Sequence, residues 1–135
     1  MKYRLYDTSA WIDFRKNVTS ALTNQLDEDL QDNLVCICPI IIQEVLQGIR
    51  EDADFEALKE DFKALKILQL EATEVAVAAA QLYRQLRKKG VTIRKPNDCL
   101  IAAYALHFDL ELCHNDVDFD QIAAHTDLKI WKPAL

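Results

Sequence analysis

The chain has 135 residues, half of them apolar and 28% charged, and a formal net charge of −6. This balance supports an ordinary folded core and excludes a disordered chain. Two glycines alone argue against a Gly-rich phosphate loop and against an all-β fold built on tight turns. No apolar run approaches the roughly 20 residues of a membrane span. Asp7 interrupts the only N-terminal stretch where a secretory signal would place its apolar core. A single domain over residues 1–135 with a cytoplasmic location is the expectation.

The elements are predicted in chain order. Residues 3–6 are apolar enough for a first strand, closed by Asp7; residues 10–14 then read as a helix or helical turn, with Asp7 a natural N-cap. Residues 20–33 form an amphipathic helix with Leu22, Leu26 and Leu30 spaced four apart. Residues 34–38 are partly β-branched and read as the second strand. Pro39 suits a helix start, so residues 40–49 follow as a helix with Gly48 near its end. Glu44 is the one acid there, among Ile41, Ile42, Val45 and Leu46. It either snorkels to solvent or is held for a reason.

Residues 51–54 read as a charged connector, 55–66 as an amphipathic helix and 67–70 as a short strand or extended stretch. Residues 71–89 form a long Ala-rich helix, with Gly90 as the residue just past its end. Residues 91–94 are extended. Pro96 then biases Lys95 away from helical geometry, which makes Asn97 the expected N-cap and puts Asp98 in the first turn of the next helix. Leu110 to Cys113 is a short buried strand that runs into Asn115, Asp116 and Asp118. Residues 119–125 make a last short helix and 128–131 an edge strand. Strands alternate with helices throughout, so the fold class is α/β: a mostly parallel central sheet with helices on both faces.

Charge is unevenly spread. Arg84, Arg87, Lys88, Lys89, Arg94 and Lys95 hold six of the sixteen Lys and Arg. This cluster is either a helix C-terminus complementing its own dipole or a phosphate-facing rim leading to Asp98. The four cysteines (Cys36, Cys38, Cys99, Cys113) are not spaced as a zinc site and read as reduced core residues.

Four acids are placed to meet at the carboxyl edge of one parallel sheet: Asp7 ends the first strand, Glu44 lies in the helix after the second, Asp98 opens a helix and Asp116 follows a later strand. N-capping alone does not predict that set, since Glu44 and Asp116 are poor candidates for it. In this order, Leu5-Tyr6-Asp7-Thr8-Ser9, Pro39-Ile-Ile-Ile-Gln-Glu44-Val-Leu-Gln-Gly48, Asn97-Asp98-Cys-Leu-Ile-Ala-Ala and His114-Asn-Asp116-Val-Asp118-Phe119 resemble the PIN domain, and within it the small VapC-like toxins of toxin–antitoxin pairs. The resemblance spans nearly the whole chain. It implies a PIN-like three-layer fold and an acidic cluster on Asp7, Glu44, Asp98 and Asp116, with Asp118 as an auxiliary acid. The family often has Thr or Ser where His114 stands, so His114 either hydrogen-bonds the site or caps the strand. The resemblance also implies an RNA substrate, notably tRNA, a small cognate antitoxin protein seated in the active-site groove, and a homodimer.

The chemistry of the residues is consistent with this. Clustered carboxylates repel and need compensation. Hard oxygen ligands at a wet edge suit Mg²⁺ or Mn²⁺, and such an ion lowers the pKa of bound water and offsets phosphodiester charge. The expected activity is a metal-dependent endoribonuclease using metal-activated water, with Asp7, Asp98 and Asp116 as principal ligands. Glu44 would ligate a metal or orient water. Thr8, Ser9, Arg94 and Lys95 would hold substrate phosphate, or in the case of the hydroxyls a carboxylate. Two other readings stand beside it. A metal-dependent phosphatase would also place Asp at strand ends, although no second Asp follows two residues after Asp7. A non-catalytic PIN-like binding module would not be stabilised by millimolar Mn²⁺, whereas a clustered-acid site would.

Overall fold

The computed structural model describes residues 2–134. The elements follow as β1 (Arg4–Tyr6), α1 (Thr8–Arg15), α2 (Ala21–Gln31), β2 (Val35–Ile37), α3 (Pro39–Gln47), α4 (Asp52–Lys63), β3 (Lys66–Ile67), α5 (Ala72–Lys88), α6 (Asn97–His107), β4 (Glu111–Cys113), α7 (Val117–Ala124) and β5 (Lys129–Ile130). The strands form one sheet in the order β3-β2-β1-β4-β5. Every neighbouring pair is parallel. In the middle strand, Leu5 lies between Cys36 of β2 and Leu112 of β4.

The chain thus builds β1, β2 and β3 outward, then returns across β1 to lay down β4 and β5. Parallel crossovers are right-handed, so reversing the direction of travel carries the later helices to the opposite face. Accordingly α1 packs on α2 and α3, while α5 packs on α6 and α6 on α7. The reversal opens a crevice at the carboxyl ends of β1 and β4, the place where open α/β sheets bind ligands.

Burial explains why the strands are short apolar runs. Leu5, Tyr6, Val35, Cys36, Ile37, Leu112 and Cys113 are all buried, as a strand covered on both faces requires. In α6 the stretch from Ile101 to Ala105 is buried all round, and its alanines let neighbouring elements approach closely. Trp11 meets Phe62 edge to face at 5.0 Å and ties α1 to α4.

A buried polar knot pins α2 to the middle strand. The Asp29 carboxylate accepts from Arg4 Nη1 at 3.0 Å, Tyr6 Oη at 2.7 Å and Gln25 Nε2 at 2.9 Å. Glycine is scarce, so polar residues take the left-handed positions that end helices. Asn17, Asn33 and Asp109 have φ of 59°, 57° and 53° just after α1, α2 and α6. Gly90, at φ 85°, does so after α5.

Besides α1, which starts at Thr8 rather than at residue 10, three helix starts differ from the sequence expectation. Residues 52–54 open α4 rather than forming a connector, because Asp52 and Asp54 in the first turn complement the helix dipole. Asn97 does not cap α6. Pro96 does, with helical φ and ψ of −56° and −26° and no side-chain cap bond. Proline lacks only an N–H that a first turn leaves free anyway. The third helix, α7, begins at Val117, and Asp116 is its N-cap, accepting from Asp118 N at 3.0 Å. Asp116 therefore is a capping residue, contrary to the expectation that it was a poor one.

Candidate active site

Each acid reaches the crevice through a local rule. Asp7 leaves β1 and caps α1, with Oδ1 accepting from Ala10 N at 3.0 Å. Ser9 Oγ donates to the same oxygen at 2.8 Å and accepts from Asn115 N at 2.8 Å. One hydroxyl so joins the end of β1 to the loop after β4. Asn115 Nδ2 adds a bond to Asp13 Oδ2 at 3.0 Å. Asp98 stands in the first turn of α6, Asp116 caps α7 and Asp118 lies in the first turn of α7.

Carboxylate oxygens of Asp98, Asp116 and Asp118 all lie within 4.8 Å of one another. Asp98 and Asp118 are 5% and 2% exposed. Oδ2 of each is buried without a hydrogen-bond partner. Asp7 and Glu44 lie outside this tight group. Asp7 borders it electrostatically, since its charge raises the pKa of Asp98 and that of Asp116 raises its own. Asp118 belongs at the centre, where the sequence gives it only an auxiliary place; spacing alone does not reveal that the first turn of α7 folds back onto α6.

Electrostatics follow from crowding. Burial first, then the charges of Asp116, Asp7 and Asp118, push Asp98 up to about 7 against the pull of Lys95. Burial pushes Asp7 up to about 6, although Ser9 and the backbone N–H groups of Ala10 and Ser9 favour its charge. Burial also acts upward on Asp116, but the Lys95 ammonium, the Asp118 N–H and Arg94 outweigh it and hold its pKa low.

The basic cluster divides in two. Arg87 and Lys88 lie in the last turn of α5 and complement its dipole. Arg94 and Lys95 instead turn to the acids: Lys95 Nζ pairs with Asp116, and Arg94 Nε is 3.5 Å from Asp118 Oδ1. Both side chains remain more than half exposed.

Glu44 is held to one side. Thr8 Oγ1 donates to its Oε1 at 2.6 Å and Asn97 Nδ2 to its Oε2 at 3.4 Å. It also lines an open cavity of about 410 Å³ with Ile12, Arg15, Arg50 and Asp54. Thr8 and Ser9 both hold carboxylates in this state. Sequence reasoning missed Asn97 as a partner of Glu44 and Ser9 as the link between loops. The Asn-Asp pair opening α6 is the signal for the first; the second has none, because it joins residues far apart in the chain that meet only where β1 and β4 end side by side.

The site fits a hard divalent cation. Its donors are carboxylate oxygens, with no sulfur or nitrogen among the grouped ligands. The two unpartnered buried oxygens are ones that a cation would satisfy.

Comparison with known proteins agrees with the geometry. The PIN domain family matches residues 4–125. The chain belongs to the PIN domain family. Among its relatives, a VapC ribonuclease of Mycobacterium bovis and ribonuclease VapC11 of Mycobacterium tuberculosis are each 34% identical, over 93% of this chain and 95% of theirs. Solved structures share the PIN fold at lower identity. DNA-bound VapBC of Salmonella typhimurium has a TM-score of 0.75 at 24% identity, covering 97% of this chain and 98% of that one. VapBC2 of Rickettsia felis, bound to a promoter DNA fragment, has 0.74 at 22%, covering 98% and 100%.

Proposed function

We propose that this PIN domain is a metal-dependent endoribonuclease, the toxin of a toxin–antitoxin pair. The observation that carries the reading is the group of Asp98, Asp116 and Asp118, with two buried oxygens lacking partners, at the crevice where strand order reverses. The relatives named as VapC ribonucleases support RNA as the substrate. The solved VapBC complexes support an antitoxin as the partner.

Asp98, Asp116 and Asp118 would hold Mg²⁺ or Mn²⁺, with Asp7 beside them. When bound, such an ion lowers the pKa of its water and offsets charge on a phosphodiester. This chain's own residues do the rest. Ser9 fixes Asp7 and ties it to the loop of Asp116. Thr8 and Asn97 aim the Glu44 carboxylate, which orients the attacking water. Arg94 and Lys95, which pair with Asp118 and Asp116 and are more than half exposed, would face the substrate phosphates. Homodimerisation and a tRNA target belong to the same reading, which light scattering and cleavage mapping test.

The decisive experiment incubates total RNA and tRNA with purified, partner-free protein in Mg²⁺, Mn²⁺ or chelator, alongside Asp98→Asn. Cleavage is expected only with metal. In the variant it should fall by at least about 100-fold, the upper end of what changes around a metal ligand produce. Unchanged cleavage by Asp98→Asn, or cutting in chelator, overturns the mechanism. A phosphatase would instead release phosphate from monoesters and leave RNA intact. A binding module would do neither and would gain no stability from Mn²⁺.

A further inference from the structure

A histidine next to a nuclease site invites a reading as general acid or base. The surroundings of His114 point elsewhere. Its side chain is 6% exposed and its ring packs against Phe119 with centroids 5.2 Å apart. The backbone N–H of Asp116 donates to His114 Nδ1 at 2.9 Å. Nδ1 is therefore the unprotonated nitrogen, so Nε2 carries the hydrogen. That nitrogen lies 3.3 Å from Asp120 Oδ1, which Lys132 Nζ also approaches at 3.8 Å. Both ring nitrogens are engaged, and neither is free to take a proton from water.

The bond to Asp116 belongs to a series. Asn115 N donates to Ser9 Oγ, Asp116 N to His114 Nδ1 and Asp118 N to Asp116 Oδ1. Almost every turn of this loop is fixed by an N–H given to a nearby side chain. Such local bonds set a backbone path without regular secondary structure. Here the path decides where Asp116 and Asp118 stand relative to Asp98. We infer that His114 is a positioning residue that acts through its Nδ1 acceptor, holding the Asp116 backbone so that the three carboxylates converge, with Asp120 fixing the ring. The inference rests on the metal-site reading above.

Isosteric substitutions separate the two ring nitrogens. Asparagine places an acceptor where Nδ1 sits and loses the bond to Asp120. Glutamine places a donor where Nε2 sits and loses the acceptor for Asp116 N–H. The experiment titrates Mn²⁺ into full-length protein and the variants His114→Asn, His114→Gln and His114→Ala, free of RNA, and reads the rise in Tm. Each metal-free Tm is recorded alongside. His114→Asn is expected to keep Mn²⁺ affinity within about threefold of the parent, while His114→Gln and His114→Ala bind about tenfold more weakly or worse, the range typical of groups that orient ligands. Cleavage should follow the same order.

Parent-like affinity in all three variants, or equal losses in all three, overturns the role of Nδ1. So does a Gln variant that binds better than the Asn variant. If Mn²⁺ affinity is kept in every variant while cleavage collapses, His114 takes part in the chemistry and the positioning role is wrong. Failure of the unsubstituted protein to gain any stability from Mn²⁺ overturns the metal site itself, and is distinguishable from each of these.

Discussion

Asp98 sits in the first turn of α6 with its carboxyl almost closed to water, and the charges of Asp7, Asp116 and Asp118 bear on it from two other elements. Its pKa of about 7 in the folded chain, against 3.8 for a free side chain, has a definite sign. The folded state binds more protons than the unfolded state between these values, so stability falls as pH rises through that window. Asparagine is neutral throughout. In chelator, Asp98→Asn should therefore melt several degrees above the parent at pH 8, and the gap should shrink as pH falls toward 4. Thermal scans across pH check this, and a parent as stable as the variant at pH 8 contradicts it. The individual acids were legible in the sequence because strand ends and helix starts bring carboxylates to one edge of a parallel sheet. Which of them touch was not. Asp118 joins the centre and Glu44 stays at the side because of how α7 and α3 lean on α6, and no spacing along the chain encodes that.

At the scale of elements, the knot between α2 and β1 is the clearest dependence. Asp29 satisfies Arg4, Tyr6 and Gln25 at once and is 1% exposed. Asp29→Ala leaves the buried Tyr6 hydroxyl without its acceptor and the partly exposed Arg4 with Glu111 alone, which costs about 1–3 kcal/mol. A chain of this size should then lose roughly 5–10 °C in Tm, while the folded remainder keeps its metal response, since Asp29 lies away from the acid group. Chemical denaturation monitored by circular dichroism measures it; a loss below about 1 kcal/mol would show that water reaches the pair. This knot had no signal in the sequence, where Asp29 is one acid in a run with Asp27 and Glu28 and nothing along the chain points to Arg4 or Tyr6. Helices and strands themselves were legible from apolar periodicity. Their starts slipped where acids in a first turn or a proline extended a helix backward, as at Asp52 and Pro96.

Taken as a whole, the molecule keeps its thiols inside. Cys36, Cys38, Cys99 and Cys113 are all buried and unpaired. Burial, the leading cause for each, pushes Cys36 and Cys99 up to about 11, Cys38 up to about 12 and Cys113 higher still. Since the thiolate is the reactive form, native protein at pH 8 should modify far more slowly than a free thiol, and all four should react at once in denaturant. Saturating Mn²⁺ should slow the native reaction further by disfavouring opening. Mass spectrometry of alkylated samples counts the sites, and a rapidly labelled native cysteine would contradict the packing. The fold class was legible because an α/β alternation with near-continuous apolar strands has few solutions. The strand order was not, because it depends on the single reversal after β3.

That reversal has a consequence for how the chain comes to be. Arg4 pairs with Val35 on one side and Glu111 on the other, so the central strand waits for nearly the whole chain before its second neighbour exists. Pairings of such long range form slowly, and an open strand edge is prone to wrong partners in the meantime. The acids are divided the same way, Asp7 at the outset and Asp98, Asp116 and Asp118 far downstream. A ribosome making this protein therefore faces no assembled acidic edge until residue 118 has been added, and it is the docking of β4 beside β1 that brings the later acids to the edge where Asp7 waits.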